Sequence, residues 1–126
     1  MSWLLLSCLV GSLAPIGAGA RPERVRPGHS YYSDDSLVVG LVRDIGAEKN
    51  YEEVYQAYRY YEAVYDEAER VVIFREYRRG EAIRTEEYRY RPDGVLLERV
   101  LRQPGRTAET TAVGSAEGEA GSEAAR

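Results

Sequence analysis

One histidine, one cysteine and scattered carboxylates make up the conventional catalytic stock of this 126-residue sequence. His29 sits in a Pro-, Gly- and Ser-containing stretch, and no motif places a serine or cysteine nucleophile against it, so no triad can be assembled. A metal site of the Cys/His type needs more ligands than one His and the lone Cys8 provide, and the acids do not follow EF-hand spacing. No glycine-rich phosphate loop is present. The adjacent acids Glu52-Glu53 and Glu86-Glu87 invite comparison with a glycosidase acid and nucleophile. Neighbouring residues on a strand or helix project in different directions, however, so solvated surface is the reading adopted. The chain is therefore expected to be non-enzymatic, with no catalytic residue, no metal ligand, no cofactor-binding residue and no cofactor.

Recognition is the remaining kind of chemistry, and here the sequence is unusual: it has 11 tyrosines. Tyr60, Tyr61, Tyr65, Tyr77, Tyr88 and Tyr90 are interleaved with Arg59, Arg75, Arg78, Arg84, Arg89 and Arg91. Such residues suit a pleated surface, where cross-strand pairs stabilise by roughly 0.2–1 kcal/mol each. The same residues can also recognise a partner, because aromatic planes stack on sugars and arginine forks bind anions. Tyr77, Arg84, Tyr88, Arg89 and Tyr90 form the candidate binding face, and its expected partner is a protein or an envelope polymer. The alternative is a small inhibitor or immunity-type protein that blocks a secreted enzyme through a protruding loop, Arg78–Glu81 or Arg91–Gly94.

The formal charge of −4 argues against nucleic acid as a main partner. Its distribution is uneven. Residues 44–69 hold eight acids against Lys49 and Arg59, a balance of −6, whereas residues 70–106 hold ten arginines against six acids, a balance of +4. The two halves can neutralise each other by packing together, or the basic half can present a face to an anionic partner.

Period and turn chemistry supply the elements that must position these residues. Ala47, Tyr51, Val54, Tyr55 and Tyr58 fall on one stripe of a 3.6-residue period, which predicts an amphipathic helix over about 46–58. From residue 60 onward, strand-forming runs alternate with turns: 60–65, then Asp66–Glu69; 71–77, then Arg78–Glu81; 82–90, then Arg91–Gly94; 95–101, then Gln103–Gly105. Asp93-Gly94 is the strongest turn signal, because Gly takes positive φ without steric cost. The expected fold class is α+β, an antiparallel four-stranded β-meander over about 60–102 with the helix packed on one face. Val71 and Phe74 are expected on opposite faces, so both faces carry large side chains. Residues 37–42 read as one short strand able to cover the face that the helix leaves open.

The ends read differently. Residues 3–16 form an apolar run too short for a permanent span, and Ala18-Gly19-Ala20 supplies small residues for a cleavage site. Residues 1–20 are thus expected to be a signal peptide, the protein periplasmic or secreted, with no transmembrane helix after cleavage. Met1-Ser2 lacks Lys or Arg, so retention as an N-terminal anchor in the inner membrane is the alternative. Cys8 follows a lipobox-like Leu5-Leu6-Ser7, but too few residues precede it for a normal lipoprotein leader. Residues 21–36 read as an extended lead-in, 37–106 as the domain and 107–126 as a disordered acidic tail.

Tyr65-Asp66-Glu67-Ala68-Glu69-Arg70-Val71 resembles the Tyr-Asp-x-x-Gly-Arg-Leu unit of bacterial YD (Rhs-type) repeats, and Tyr90-Arg91-Pro92-Asp93-Gly94-Val95-Leu96 is similar to a second, degenerate copy. MORN-like repeats use comparable hairpins. This chain departs from the unit at Glu69, where it has Gly, and at Arg91, where it has Asp. The resemblance implies hairpins built from Tyr, turn and Arg across residues 60–102. It implies no activity and no site residue, because those repeats are scaffolds.

Overall fold

The computed structural model describes residues 25–113. The expected leader over 1–20 and residues 114–126 of the expected tail lie outside them. In chain order the elements are β1 (Ser30–Ser33), β2 (Ser36–Val39), β3 (Val42–Ile45), α1 (Tyr51–Val54), β4 (Arg59–Tyr65), β5 (Val71–Arg78), β6 (Glu81–Tyr90), β7 (Leu96–Arg102) and β8 (Glu109–Ala112). The structure is mostly antiparallel sheet with one short helix.

β4 to β7 form the meander that the turn spacing predicts, but the sheet has six strands rather than four, in the order β1-β4-β5-β6-β7-β8. The lead-in contributes β1, which pairs with β4. Tyr31 packs beside Tyr65 with ring centroids 5.8 Å apart, and Ser33 is buried. The tail contributes β8, paired with β7 from Leu101↔Glu109 to Glu98↔Ala112. All four β8 side chains are exposed. Main-chain hydrogen bonds alone hold it, which is why no hydrophobic pattern announces it.

The predicted helix over 46–58 reduces to the single turn of α1. Before it, the backbone is committed elsewhere: Gly46 N donates to Asp35 O and Lys49 N to Tyr32 O, both at 2.8 Å. The Glu53 carboxylate accepts from Asn50 N at 2.8 Å and caps the turn. Of the stripe, Val54 is buried while Tyr51, Tyr55 and Tyr58 are exposed. The 3.6-residue spacing serves an aromatic cluster in which Tyr51 contacts Tyr32, Tyr55 and Tyr60 at centroid distances of 5.0, 5.4 and 6.4 Å.

A hairpin replaces the helix as the covering layer. Residues 37–42 are not one strand: Gly40, at φ 64, turns β2 back onto β3. Ile45 of β3 joins Tyr61, Ala63, Tyr65, Val71, Phe74 and Tyr88 in the core. Val71 and Phe74 share that face, contrary to simple alternation, because β5 carries an extra residue at Val72 (Val64↔Ile73, then Tyr65↔Val71). Similar shifts occur at Ile83 and Leu97.

Candidate anion-binding face

Strand register assigns each charged side chain to one of the two sheet faces. On the face opposite the hairpin, acids and arginines pair one to one: Glu62 with Arg75 at 2.9 Å, Glu98 with Arg89 at 3.2 Å, and Glu87 with Arg102 at 3.3 Å. The hairpin side is different. Glu86, fully buried on β6, is approached by Arg43 Nε at 3.1 Å, Arg84 Nε at 3.2 Å and Arg99 Nη1 at 3.6 Å. Glu76, on β5, is approached by Arg59 Nε and Arg78 Nη2, each at 3.6 Å. Five arginines therefore share two carboxylates across β3 to β7, with Glu81 and Glu109 at the margins.

Each of these arginines has a structural reason to stand where it does. Pairing of Glu76 with Arg84, and of Tyr88 with Arg99, sets β5, β6 and β7 side by side with these residues pointing the same way. Arg43 is fixed by its own backbone, whose N–H donates to the buried Tyr88 hydroxyl at 2.9 Å. Arg43 and Arg84 meet Glu86 through Nε, a side-on contact that leaves part of each planar five-donor guanidinium for other acceptors. Glu86 Oε1 has no hydrogen-bond donor among the described residues. A depression of about 380 Å³ lies alongside, lined by Glu76, Arg78, Ile83, Arg84, Gln103, Pro104 and Arg106. It is polar, open and rich in guanidinium groups, a setting that suits oxyanions.

The five residues expected as one binding face are divided between two. Arg84, Tyr88 and Tyr90 lie on the hairpin side; Tyr77 and Arg89 lie on the other. Tyr88 and Tyr90 also have internal duties. Burial, followed by the nearby Glu86, pushes the Tyr88 hydroxyl up to about 12, although the Arg43 N–H bond pulls the other way. Tyr90 donates to Val71 O at 2.6 Å. Tyr77 stacks on Tyr60 with ring centroids 4.7 Å apart and planes 7° apart, and it donates to Glu62 at 2.7 Å. Burial and the Glu62 carboxylate together raise its hydroxyl above the ordinary tyrosine range. Burial alone would raise Glu62, but bonds from Ser30, Tyr77 and Arg75 outweigh it and hold this carboxyl below its usual range.

Sequence reasoning missed Arg43, Arg59, Arg78, Arg99, Glu76 and Glu86 as one group because they come from five strands. The i, i+2 spacing of Arg84, Glu86 and Tyr88 was the one local signal that these three share a face. Among the described residues, no three His, Cys, Asp or Glu are placed to hold a metal ion, and no helix is long and apolar enough to cross a membrane. Comparison with protein-family models, curated proteins and solved structures finds no match.

Proposed function

We propose that this chain is an exported, non-enzymatic binding module that contacts a protein or an envelope polymer through its arginine-rich sheet face. The imbalance between the faces carries this reading: three arginines pair with three acids on one, whereas five arginines share two ion-paired carboxylates on the other. Glu81 and Glu109 lie on that second face but outside ion-pair distance. Burial of Glu86 and near-burial of Glu76 require a cationic partner for each carboxylate, but one arginine apiece would neutralise them, and the further like charges repel one another. Export rests on the apolar run and the Ala18-Gly19-Ala20 site, and an envelope location would supply polyanionic partners.

The test compares two double variants that remove the same charge. Arg84→Gln/Arg99→Gln alters the surplus face; Arg89→Gln/Arg102→Gln alters the balanced one. Retention on a bacterial envelope fraction is expected to fall only for the first pair. It is measured at a temperature where circular dichroism shows both variants folded, since loss of two partners of the buried Glu86 lowers the melting temperature. Equal losses would sink the reading. Intact mass and cell fraction test export: a soluble periplasmic species beginning at Arg21 supports it, and a full-length cytosolic one opposes it.

One observation favours the inhibitor reading. The Arg78–Glu81 hairpin loop turns tightly, with Arg79 at φ 51 and Gly80 at φ 79, and Arg79 N donates to Tyr58 O at 2.8 Å. The Arg79 guanidinium sits 5.4 Å from the Tyr58 ring. If this loop enters an enzyme cleft, Arg79→Ala abolishes inhibition while the two face variants leave it intact.

A further inference from the structure

Resting on that reading, we infer that the arginine-rich face binds a linear anionic glycan through two charge-selective positions, one above Glu76 and one above Glu86. The two carboxylates are diagonal neighbours on adjacent strands, since Glu76 opposes Arg84 and Phe74 opposes Glu86. Such neighbours stand about 7–8 Å apart. Glu76 carries two arginines and Glu86 three. After each carboxylate neutralises one, two arginines remain over Glu86 and one over Glu76, the latter partly offset by Glu81, which opposes Arg78 in register but forms no ion pair among the described residues. The carboxylates act as anchors: each draws the guanidinium stems inward and fixes their spacing before any ligand arrives, which lowers the ordering cost of binding.

A ligand that fills both positions must carry negative groups repeated along its length on this scale. Anionic polysaccharides do so with carboxylate, sulfate or phosphate groups. A folded acidic protein fits less well, because stable protein interfaces are anchored on buried aromatic or apolar residues. Tyr88, the tyrosine nearest Glu86 along β6, is itself buried, and the exposed Tyr51 and Tyr55 belong to the aromatic cluster around Tyr60 rather than to the arginines. A single oxyanion would occupy only one position and leave the other surplus unmet. The binding is electrostatic and should weaken steeply with salt.

The probe is a series of oligogalacturonates of one to six sugars, titrated calorimetrically against the protein at low ionic strength. The monosaccharide is expected to bind at least tenfold more weakly than oligomers long enough to reach both positions, with affinity levelling off beyond that length. Arg78→Gln should reduce the long oligomers to the affinity of the short ones, and Arg89→Gln on the opposite face should change nothing. Affinity that is flat or rises evenly with length overturns the inference, as does tighter binding of single-stranded DNA of equal charge. Face-dependent retention of a glycan-free acidic protein would also overturn it while leaving the binding-module reading intact. That reading fails separately if the envelope assay shows no dependence on Arg84 and Arg99.

Discussion

The Arg70 guanidinium lies 4.8 Å from the centre of the Tyr90 ring and donates to the Arg91 carbonyl at 3.2 Å, so one side chain joins the β4–β5 turn to the β6–β7 turn. The two turns share a bonding pattern. In the first, Asp66 N donates to Arg70 O and Glu69 N to Asp66 O; in the second, Arg91 N donates to Val95 O and Gly94 N to Arg91 O. Arg70 is also paired with the Asp66 carboxylate at 2.8 Å. Burial opposes ionisation of Asp66, but the Arg70 backbone and side-chain bonds prevail and lower its carboxyl from the usual range.

Removing Arg70 therefore acts on both turns. Arg70→Ala is expected to lower stability by about 2 kcal/mol, combining a charged hydrogen bond with a cation–π contact. Arg70→Lys should recover only part of this, because an ammonium lacks the planar fork that serves Asp66, Arg91 and the ring together. Chemical denaturation of both variants checks the order. Identical losses would mean that the retained charge contributes nothing and the planar guanidinium alone matters.

The fourth residue of the first turn is strained. Glu69 sits at φ 61, while the corresponding Gly94 of the second turn sits at φ 93. A left-handed conformation costs a residue with a Cβ about 1–2 kcal/mol. Glu69 N retains its bond to Asp66 O in any substitution, so Glu69→Gly should stabilise the domain, by about 1 kcal/mol once the flexibility of an unfolded glycine is counted. A rise in thermal midpoint is expected, and a fall would show that the Glu69 side chain contributes more than its backbone strain removes.

These turns mark what was legible. Asp93-Gly94, Arg79-Gly80 and the run 66–69 located every hairpin of β4 to β7, because positive φ restricts residue choice strongly enough to be read locally. Gly40 carried the same signal inside 37–42, and the surrounding Val and Leu residues obscured it. β8 was invisible because Thr110 and Thr111 pair by backbone alone, and the stripe of Tyr51, Val54, Tyr55 and Tyr58 imitated a helix because cluster packing and helical period share a spacing of three to four. The candidate face was only partly legible. Arg84 was identified, but its partners Arg43 and Arg99 lie 41 residues behind it and 15 ahead, and the extra residues at Val72, Ile83 and Leu97 shift the alternation that would have aligned them.

Acid should weaken the Glu62 cluster on the face opposite the hairpin. Glu62 is buried and accepts bonds from Ser30, Arg75 at 2.9 Å and Tyr77 at 2.7 Å. Its folded-state value is depressed from 4.5, so its contribution is present above that value and lost as pH falls through the lower folded one. Glu62→Gln should flatten the acid limb of a stability-against-pH curve and cost stability at neutral pH, since Arg75 loses its partner. An unchanged acid limb would mean that other carboxylates govern it.

Alkali should instead release the hairpin. Tyr88 links the β2–β3 cover to the sheet by accepting from Arg43 N, and its folded value of about 12 exceeds the ordinary tyrosine value of 10.0. The neutral phenol is thus the form that folding favours. Its contribution is complete below pH 10.0 and falls away as pH climbs towards about 12. Tyr88→Phe leaves the ring in the core and removes only the acceptor, so a part-buried N–H loses its bond at a cost of about 1 kcal/mol. Hydrogen exchange at the Arg43 amide should accelerate more than exchange in β5, because the lost bond belongs to the cover. Tyrosinate absorbance should lose a late-titrating component, and the alkaline fall in stability should become shallower than in the parent. Equal acceleration throughout would instead show that the hairpin and the sheet open as one unit.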